Sequence, residues 1–411
     1  MRILFIITVI KSRGEAYLVI KAAQDVIKNG GACQVLAMPE VGEYVRQHGL
    51  SVTFLSHKKE ANKELVENVL LQFKPQGVVY ASFRNIYLGI GIGKVFEPEW
   101  ISEKNIPTAT FDPEKYKREL KKISSGPLIN REYKLPQLLP GMKVFSTDFI
   151  EQAKAPENTL FYRNDMDIDQ KKELRKKFKW PENEPVIIFP VSRWIYDNAA
   201  YFNSNYYKEY LPNLLAHYFS LLKKPMRIHT IGDKELFFEN KWDDVTVSHE
   251  ASLKITDYEQ RIRAADLLLT DNGMSGSIEI ATNAETPVLV LKNSIKASIR
   301  QGQLDCAAQF NISGFVAETL KRMLAENPKA VFPYAIYPLG WWEVVEHLFK
   351  DNPLHKTFCE AELFNEADVI ELLKKILWDK GIQKKLKLLQ KEYRIKKEAL
   401  SKFSQVAKLV F

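Results

Sequence analysis

LLLTDNGMSGSIEIATNAETPVLVL, at positions Leu267–Leu291, places two apolar runs on either side of a polar loop rich in small residues. Short apolar runs bounded by turn residues are typical of strands buried on both faces. Because strands and helices alternate along this chain, the stretch after the loop is expected to begin a helix. This strand–loop–helix–strand order predicts a parallel sheet and an α/β fold.

The same alternation extends through the rest of the chain. In the first half, helical stretches separate most of the strand-like runs RILFIITVI, CQVLAM, SVTFLS, QGVVYAS, IPTATF and MKVFST. After a polar stretch it restarts with VIIFPVSRW, PMRIHTIGD, VTVSHE, DLLLTDNG and PVLVLKN. We therefore expect two doubly wound, Rossmann-like domains that face each other across a cleft. The predicted boundaries are 1–160, 161–370, and 371–411 for helices that pack back toward the first domain.

Composition narrows the functional classes. The 411 residues are 45% hydrophobic and 27% charged, which is typical of a globular protein with a sizeable core. The net charge of +8 favours anionic ligands or a loose hold on an acidic membrane surface, but it is too scattered to indicate nucleic acid. Three widely spaced cysteines, Cys33, Cys306 and Cys359, predict no disulfide framework and favour a cytoplasmic location. No apolar run approaches the roughly 20 residues that span a bilayer.

The loop after Leu269 has the chemistry of an anion site. Backbone N–H groups at the start of a helix attract phosphate, and glycines let phosphate oxygens come close. Hydroxyl groups add donors, and Glu279 can accept hydrogen bonds from a sugar's vicinal hydroxyls. A plain turn, with Glu279 favoured by the helix dipole, is the alternative. The candidate binding residues in this loop are Asn272, Gly273, Ser275, Gly276, Ser277 and Glu279.

Two other strand ends add candidates. Ser192 and Arg193 follow VIIFPV, and Gly232 follows MRIHTI. The arginine can contact phosphate from the opposite side of the loop, although a surface arginine in a turn has the same sequence pattern. Glycine at a strand end serves turns as often as ligands.

These segments together resemble the GT-B glycosyltransferases, especially the MurG and UDP-glycosyltransferase group. The resemblance rests on PVIIFPVSR, ITDYEQRIRAADLLLTDNG, GMSGSIEIATNAETPVLVL and the closing VIELLKKILWDKGIQKKLKLLQ. It covers about Asp167 to Asn293 and Ala367 to Tyr393, and is only architectural before that. It implies a nucleotide diphosphate sugar such as a UDP-sugar as co-substrate, no other cofactor, and inverting transfer without a metal. The interval from Glu279 to Pro287 is one residue longer than the family's pattern, and the customary glycine before the proline is absent.

The first strand ends in KSRGEAYL, where the family usually carries a histidine that acts as base toward the acceptor. Glu15 lies nearest that position, and a carboxylate can deprotonate a hydroxyl when burial raises its basicity. Arg13 is expected in the same catalytic turn, and Gly14 among the substrate contacts. The alternative is that Glu15 only complements the helix dipole. Asp112 is the next candidate base.

Two further motifs are read as structural. DMDID, at 165–169, resembles the aspartate motif of metal-dependent transferases, but it precedes a lysine-rich helix, so we expect no metal site. The aromatic cluster Tyr334, Tyr337, Trp341 and Trp342 is typical of a core more often than of a sugar platform.

The sequence therefore predicts transfer of a sugar from a nucleotide diphosphate sugar to an unidentified acceptor hydroxyl. A nucleotide-sugar 2-epimerase of the same fold and a non-catalytic partner protein that kept the fold are the alternatives. The tail from Ile382 has apolar residues at helical spacing and lysines largely around the other side. It predicts a helix across the first domain, with a membrane-surface helix as the second interpretation.

Overall fold

A computed structural model describes most of the chain. The described residues are 1–10, 13–87, 91–112, 122–124, 132–134, 137–146, 170–193, 196–197, 205–236, 244–251, 253–273, 275–328, 331, 353–398 and 402–411. The chain divides into two compact units, one formed by 1–123, 132–163 and 396–411, the other by 124–131 and 164–395. Among the described residues, no helix is long and apolar enough to cross a membrane.

The first unit is built on a six-stranded parallel sheet in the order β3-β2-β1-β4-β5-β8. A separate pair, β6 with β7, forms a two-stranded sheet. The strands are β1 (Arg2–Ile6), β2 (Ala32–Ala37), β3 (Val52–Phe54), β4 (Gly77–Tyr80), β5 (Thr108–Asp112), β6 (Lys122–Ser124), β7 (Glu132–Lys134) and β8 (Lys143–Ser146). The helices before the second unit are α1 (Arg13–Lys28), α2 (Pro39–Arg46), α3 (Lys59–Phe73) and α4 (Glu99–Ser102), with a 3₁₀ turn at Phe83–Tyr87.

The last helix of the chain belongs to the first unit's core. The ring of Phe403 lies 5.7 Å from that of Phe5 and 5.2 Å from that of Phe145, and all three rings are buried. Gly77 has no side chain where the ring of Phe411 packs, since a Cβ there would lie 2.3 Å from that ring. The helix therefore completes the hydrophobic layer under the sheet.

The second unit contains a second six-stranded parallel sheet, in the order β11-β10-β9-β12-β13-β16. Its strands are β9 (Val186–Pro190), β10 (Met226–Ile231), β11 (Val245–Glu250), β12 (Leu267–Thr270), β13 (Val288–Lys292) and β16 (Cys359–Glu362), and β14 (Ala297–Arg300) pairs with β15 (Gln303–Cys306) in an antiparallel hairpin. The helices are α5 (Lys171–Lys177), α6 (Leu211–Ser220), α7 (Ile255–Ala264), α8 (Gly276–Asn283), α9 (Gly314–Glu326), α10 (Glu366–Trp378) and α11 (Lys380–Glu398), followed by α12 (Phe403–Val410) in the first unit. A π-helical turn at Tyr206–Tyr210 and a 3₁₀ turn at Pro353–Thr357 complete the set.

A partly buried carboxylate ties the entry helix of the second unit to its sheet. Asp266, at the start of β12, accepts hydrogen bonds from Arg175 on α5 (3.1 Å) and from the backbone N–H of Val186 at the start of β9 (2.8 Å). Lys171 on the same helix donates a third bond at 2.8 Å. These bonds hold together the amino-terminal ends of β9 and β12. The candidate residues follow the carboxyl ends of the strands, on the opposite side of the sheet.

Both predicted α/β halves are confirmed. Each of the strand-like runs quoted from the sequence contains an observed strand, and both sheets are parallel. The strand β16 and the β14–β15 hairpin were not predicted.

Candidate functional site

The second sheet has a topological switch point between β9 and β12. The strand order reverses there, so the connections that follow these two strands diverge and leave a crevice at their carboxyl ends. Ser192 follows β9 and Asn272 follows β12, and the Asn272 side-chain amide donates to the Ser192 hydroxyl at 3.3 Å. The fold therefore brings together two candidate residues that are 80 positions apart in the sequence.

The start of helix α8 lies next to this contact. Ser275 is its N-cap, and its hydroxyl accepts a hydrogen bond from the N–H of Ser277 at 3.2 Å. Among the described residues, no atom lies within 4 Å of a Cβ added to Gly276, so they leave space beside the first turn. Unpaired N–H groups and the helix dipole make such an open helix start suited to an anion.

The remaining candidates of the loop lie in or beside this helix start. Ser277 shares a 2.6 Å hydrogen bond with the hydroxyl of Tyr258 on α7. Glu279 lies in the first turn of α8 and is partly buried. Gly273 is also partly buried, directly after Asn272. The six loop candidates therefore lie along one strand end and one helix start.

Arg193 is already paired within the protein. Its guanidinium donates to Asp233 at 3.2 Å, and its Nε lies 3.6 Å from Asp197. The side chain is 31% exposed, so a phosphate can reach it, but only in competition with these two carboxylates. No sequence pattern indicates this pairing, since Asp233 is 40 positions away.

Gly232 has a packing reason to be glycine. A Cβ there would lie 2.7 Å from the backbone oxygen of Val191, which is closer than real contacts allow. The residue follows β10 and sits against the end of β9, where its N–H donates to the backbone oxygen of Glu250. The absence of a side chain at Gly232 therefore lets the ends of β9 and β10 pack together.

Asp271 is a site residue that the sequence analysis missed. It lies between β12 and Asn272, and its Oδ2 accepts hydrogen bonds from the hydroxyls of Tyr207 (2.6 Å) and Tyr206 (3.3 Å). Its Oδ1 is buried and has no hydrogen-bond partner among the described residues. Burial raises the pKa of the Asp271 carboxyl to about 6, against the opposing effect of the tyrosine hydroxyls. Its place beside the loop was the only signal that could have pointed to it.

A second polar network links β10, β11 and α7. Arg261 donates two hydrogen bonds of 2.6 Å to Glu250 and lowers the pKa of that carboxyl to about 2. Burial lowers the pKa of His229, so its neutral ring donates from Nε2 to Glu250 (2.9 Å) and accepts at Nδ1 from Ser248 (2.7 Å). The network is internally paired and ties α7, which precedes β12, to the sheet.

The first sheet has its own switch point, between β1 and β4. Glu15, in the first turn of α1, is only 7% exposed. Its Oε2 accepts from the hydroxyl (2.8 Å) and the N–H (3.2 Å) of Thr8, and its Oε1 accepts from the Asn85 amide (2.7 Å). Both oxygens therefore contact donors that follow neighbouring strands.

The neighbours of Glu15 in sequence are placed differently. The guanidinium of Arg13 stacks over the Tyr44 ring, 4.6 Å from its centroid, and Gly14 is exposed. Gly91 is packed so closely on the backbone oxygen of Asn85 that a Cβ would come within 1.9 Å of it. This contact holds the turn that presents Asn85 to Glu15.

Two of the quoted motifs lie outside the described residues. This holds for the DMDID run at 165–169 and for the aromatic segment from Tyr334 to Trp342. Within the part of the chain that the structure describes, no group of three or more His, Cys, Asp or Glu side chains is placed to hold a metal ion.

Comparison with solved structures identifies the fold. The chain superposes on the spinosyn rhamnosyltransferase SpnG in complex with thymidine diphosphate with a TM-score of 0.54, at 10% identity over 100% of both chains. MurG from Acinetobacter baumannii gives 0.50 at 10% identity over 100% of this chain and 99% of that one. UDP-GlcNAc 2-epimerase from Neisseria meningitidis bound to UDP-GlcNAc gives 0.52 at 13% identity over 100% and 99%. The fold is therefore of the GT-B glycosyltransferase type, as predicted.

The sequence itself assigns the family. The chain belongs to the family of unknown function DUF6365, whose model matches residues 22–411. No curated protein matches the chain in sequence.

Proposed function

We propose that this protein is a glycosyltransferase that binds a nucleotide diphosphate sugar at the loop between β12 and α8. The observation that carries the proposal is the open helix start at Gly276, placed at the switch point of the second sheet. Ligands of doubly wound sheets bind at such points, and a helix start with free space above it suits a diphosphate. Two of the similar structures add support, because one is a complex with thymidine diphosphate and the other is bound to UDP-GlcNAc.

The loop offers a separate group to each part of the donor. The N–H groups around Gly276 would hold the diphosphate, with the hydroxyls of Ser275 and Ser277 beside them. Glu279 would accept hydrogen bonds from the ribose hydroxyls. Arg193 would turn from Asp233 toward the leaving diphosphate and stabilise its charge, so that no divalent metal is needed.

In the transfer step, the acceptor oxygen would attack the anomeric carbon with inversion. The bond from that carbon to the diphosphate oxygen breaks, and the electron pair leaves with the nucleoside diphosphate. We propose Glu15 as the base that takes the acceptor's proton. Because both of its oxygens accept hydrogen bonds, Oε1 would have to exchange the Asn85 amide for the acceptor hydroxyl.

Binding of nucleotides tests the donor site directly. We expect a uridine or thymidine diphosphate, or one of their sugars, to raise the melting temperature by mass action, and calorimetry to give its affinity. Glu279→Ala should weaken binding by roughly ten- to a hundredfold, because a hydrogen bond to a charged group contributes about 1.5–3 kcal/mol.

Glu173→Ala is the matched control. Glu173 also lies in the first turn of a helix of the second unit, α5, and is exposed. Equal affinity in the Glu279 variant, the control and the unchanged protein would place the donor elsewhere. Deuterium incorporation at the sugar C2 in heavy water, without an acceptor, would instead support an epimerase.

A further inference from the structure

Helix α11 presents two large apolar side chains to solvent. Leu388 is 56% exposed and Ile395 is 54% exposed. They are seven residues apart, which is close to two helical turns, so both point from the same face of the helix. An exposed apolar stripe on a helix indicates a surface with which a partner makes contact.

Lysines surround this stripe. Lys384 and Lys391 precede Leu388 and Ile395 by four residues each and therefore lie on the same face. Between Lys380 and Ile395 the exposed charged residues are five lysines and one glutamate: Lys380, Lys384, Lys385, Lys387, Lys391 and Glu392. The face is therefore apolar at two points and strongly positive around them.

The opposite face of the helix is fixed in the second unit. Leu386 is part of the buried core, and Gln390 is fully buried, with its side-chain amide donating to the backbone oxygen of Thr286 at 2.9 Å. Arg394 pairs with Glu285 at 3.0 Å. These contacts set the rotation of the helix, so the Leu388–Ile395 face stays outward.

We propose that the Leu388–Ile395 face of α11 binds an anionic lipid surface. Lysine side chains can extend toward lipid phosphates while their stems and the two apolar side chains enter the acyl boundary. A second copy of the chain would set lysines against lysines across the contact. A nucleic acid would match the charge but would leave Leu388 and Ile395 without an apolar partner. An acidic bilayer offers phosphates to the lysines and an acyl boundary to Leu388 and Ile395. This proposal does not depend on what the α8 loop binds.

Sedimentation with vesicles tests this proposal. The full chain should bind phosphatidylcholine vesicles that contain phosphatidylserine, and bind those without it much less. Lys384→Gln combined with Lys391→Gln should weaken vesicle binding by about fivefold per lysine. High salt should also weaken vesicle binding, because it screens the attraction between lysines and lipid phosphates. Leu388→Ser combined with Ile395→Ser should also weaken binding, because less apolar surface is buried.

A matched control lies on α3 of the first unit. Lys63 is exposed and Leu71 is 70% exposed, so Lys63→Gln combined with Leu71→Ser changes a similar surface. Vesicle binding of the control should be unchanged, and nucleotide affinity should be unchanged in every variant.

Three results would overturn the proposal. They are binding that does not depend on phosphatidylserine, equal loss in the α3 control, and retention of vesicle binding in both α11 variants. Binding to a phosphate polymer that is unaffected by Leu388→Ser and Ile395→Ser, without vesicle binding, would also overturn it in favour of a nucleic-acid contact.

Discussion

The two six-stranded sheets have the same strand order, but different groups lie at their switch points. At the first, the carboxylate of Glu15 accepts three hydrogen bonds from Thr8 and Asn85, so the crevice is occupied by the protein's own polar groups. At the second, the described residues leave space beside Gly276 at the start of α8. The same topology thus produces one crevice with a fixed carboxylate and one with room for a ligand.

Strand order defines where a site can form, and side chains decide what that site does. A buried carboxylate held from two sides is suited to positioning or to proton transfer. An open helix start is suited to anion binding. Changes at each crevice should therefore affect different measurements.

The largest expected effect is on turnover. Glu15→Gln should lower kcat by about 10²–10⁴-fold if Glu15 is the base, because an amide cannot accept the acceptor's proton. Donor affinity should stay nearly unchanged. The measurement is kcat at saturating donor, with and without EDTA, since metal-independent transfer should not respond to the chelator.

Thr8→Val separates catalysis from positioning. It removes one hydroxyl donor to Glu15 and leaves the carboxylate in place. If both variants lower the melting temperature equally and neither changes kcat, Glu15 only holds the turn, and the search for a base moves to Asp112.

The next effect is on nucleotide affinity. Gly276→Val should weaken binding by at least ten- to a hundredfold, because its side chain fills the space that the diphosphate needs. The fold should tolerate the change, since a Cβ there meets no atom of a described residue within 4 Å. Calorimetry checks the affinity, and Gly276→Ala should give a smaller loss. Full affinity in a folded Gly276→Val variant would show that the loop is only a turn.

The smallest effect is on stability and depends on pH. The pKa of Asp271 is about 6 in the folded protein, above the ordinary value of 3.8. Between these two pH values the native state therefore keeps the Asp271 proton, while the unfolded chain loses it. The free energy of unfolding therefore decreases as pH rises from about 4 to 6, and the whole decrease due to Asp271 is reached above pH 6. Asp271→Asn should stabilise the protein above pH 6 by on the order of 1–3 kcal/mol and much less near pH 4.

Chemical denaturation across this pH range measures the difference. Asp305→Asn, at an exposed position in the β14–β15 hairpin, serves as the control and should not stabilise the protein, because the Asp305 carboxylate is in water and pairs with Arg300 at 2.7 Å. A gain that is constant with pH would mean that the unpartnered Oδ1, rather than the charge, is responsible.

Local pattern was sufficient to predict both sheets. Apolar runs of strand length that alternate with amphipathic stretches can be recognised from neighbouring residues alone. Every quoted run contains a strand. The loop before α8 was also predictable, because small residues at a strand end are a local signal. One local signal was overlooked: in the β14–β15 hairpin, Gln301 and Gly302 both have positive φ, and glycine in a two-residue loop favours such a turn.

The partners of the candidate residues could not be predicted in this way. Asn85 reaches Glu15 across 70 positions, and Tyr207 reaches Asp271 across 64. Asp233 neutralises Arg193 across 40. Such pairs depend on which strand ends the fold brings together, and no spacing in the sequence encodes them.

The return of α12 to the first unit bears on how the protein is made. Domains generally fold as units during synthesis, starting from the N-terminus. Here the rings of Phe5 and Phe145 are covered by Phe403, which the ribosome adds only after the whole second unit. The nascent first unit therefore carries an uncovered aromatic layer throughout translation, and we expect chaperones to bind that layer until the last helix emerges.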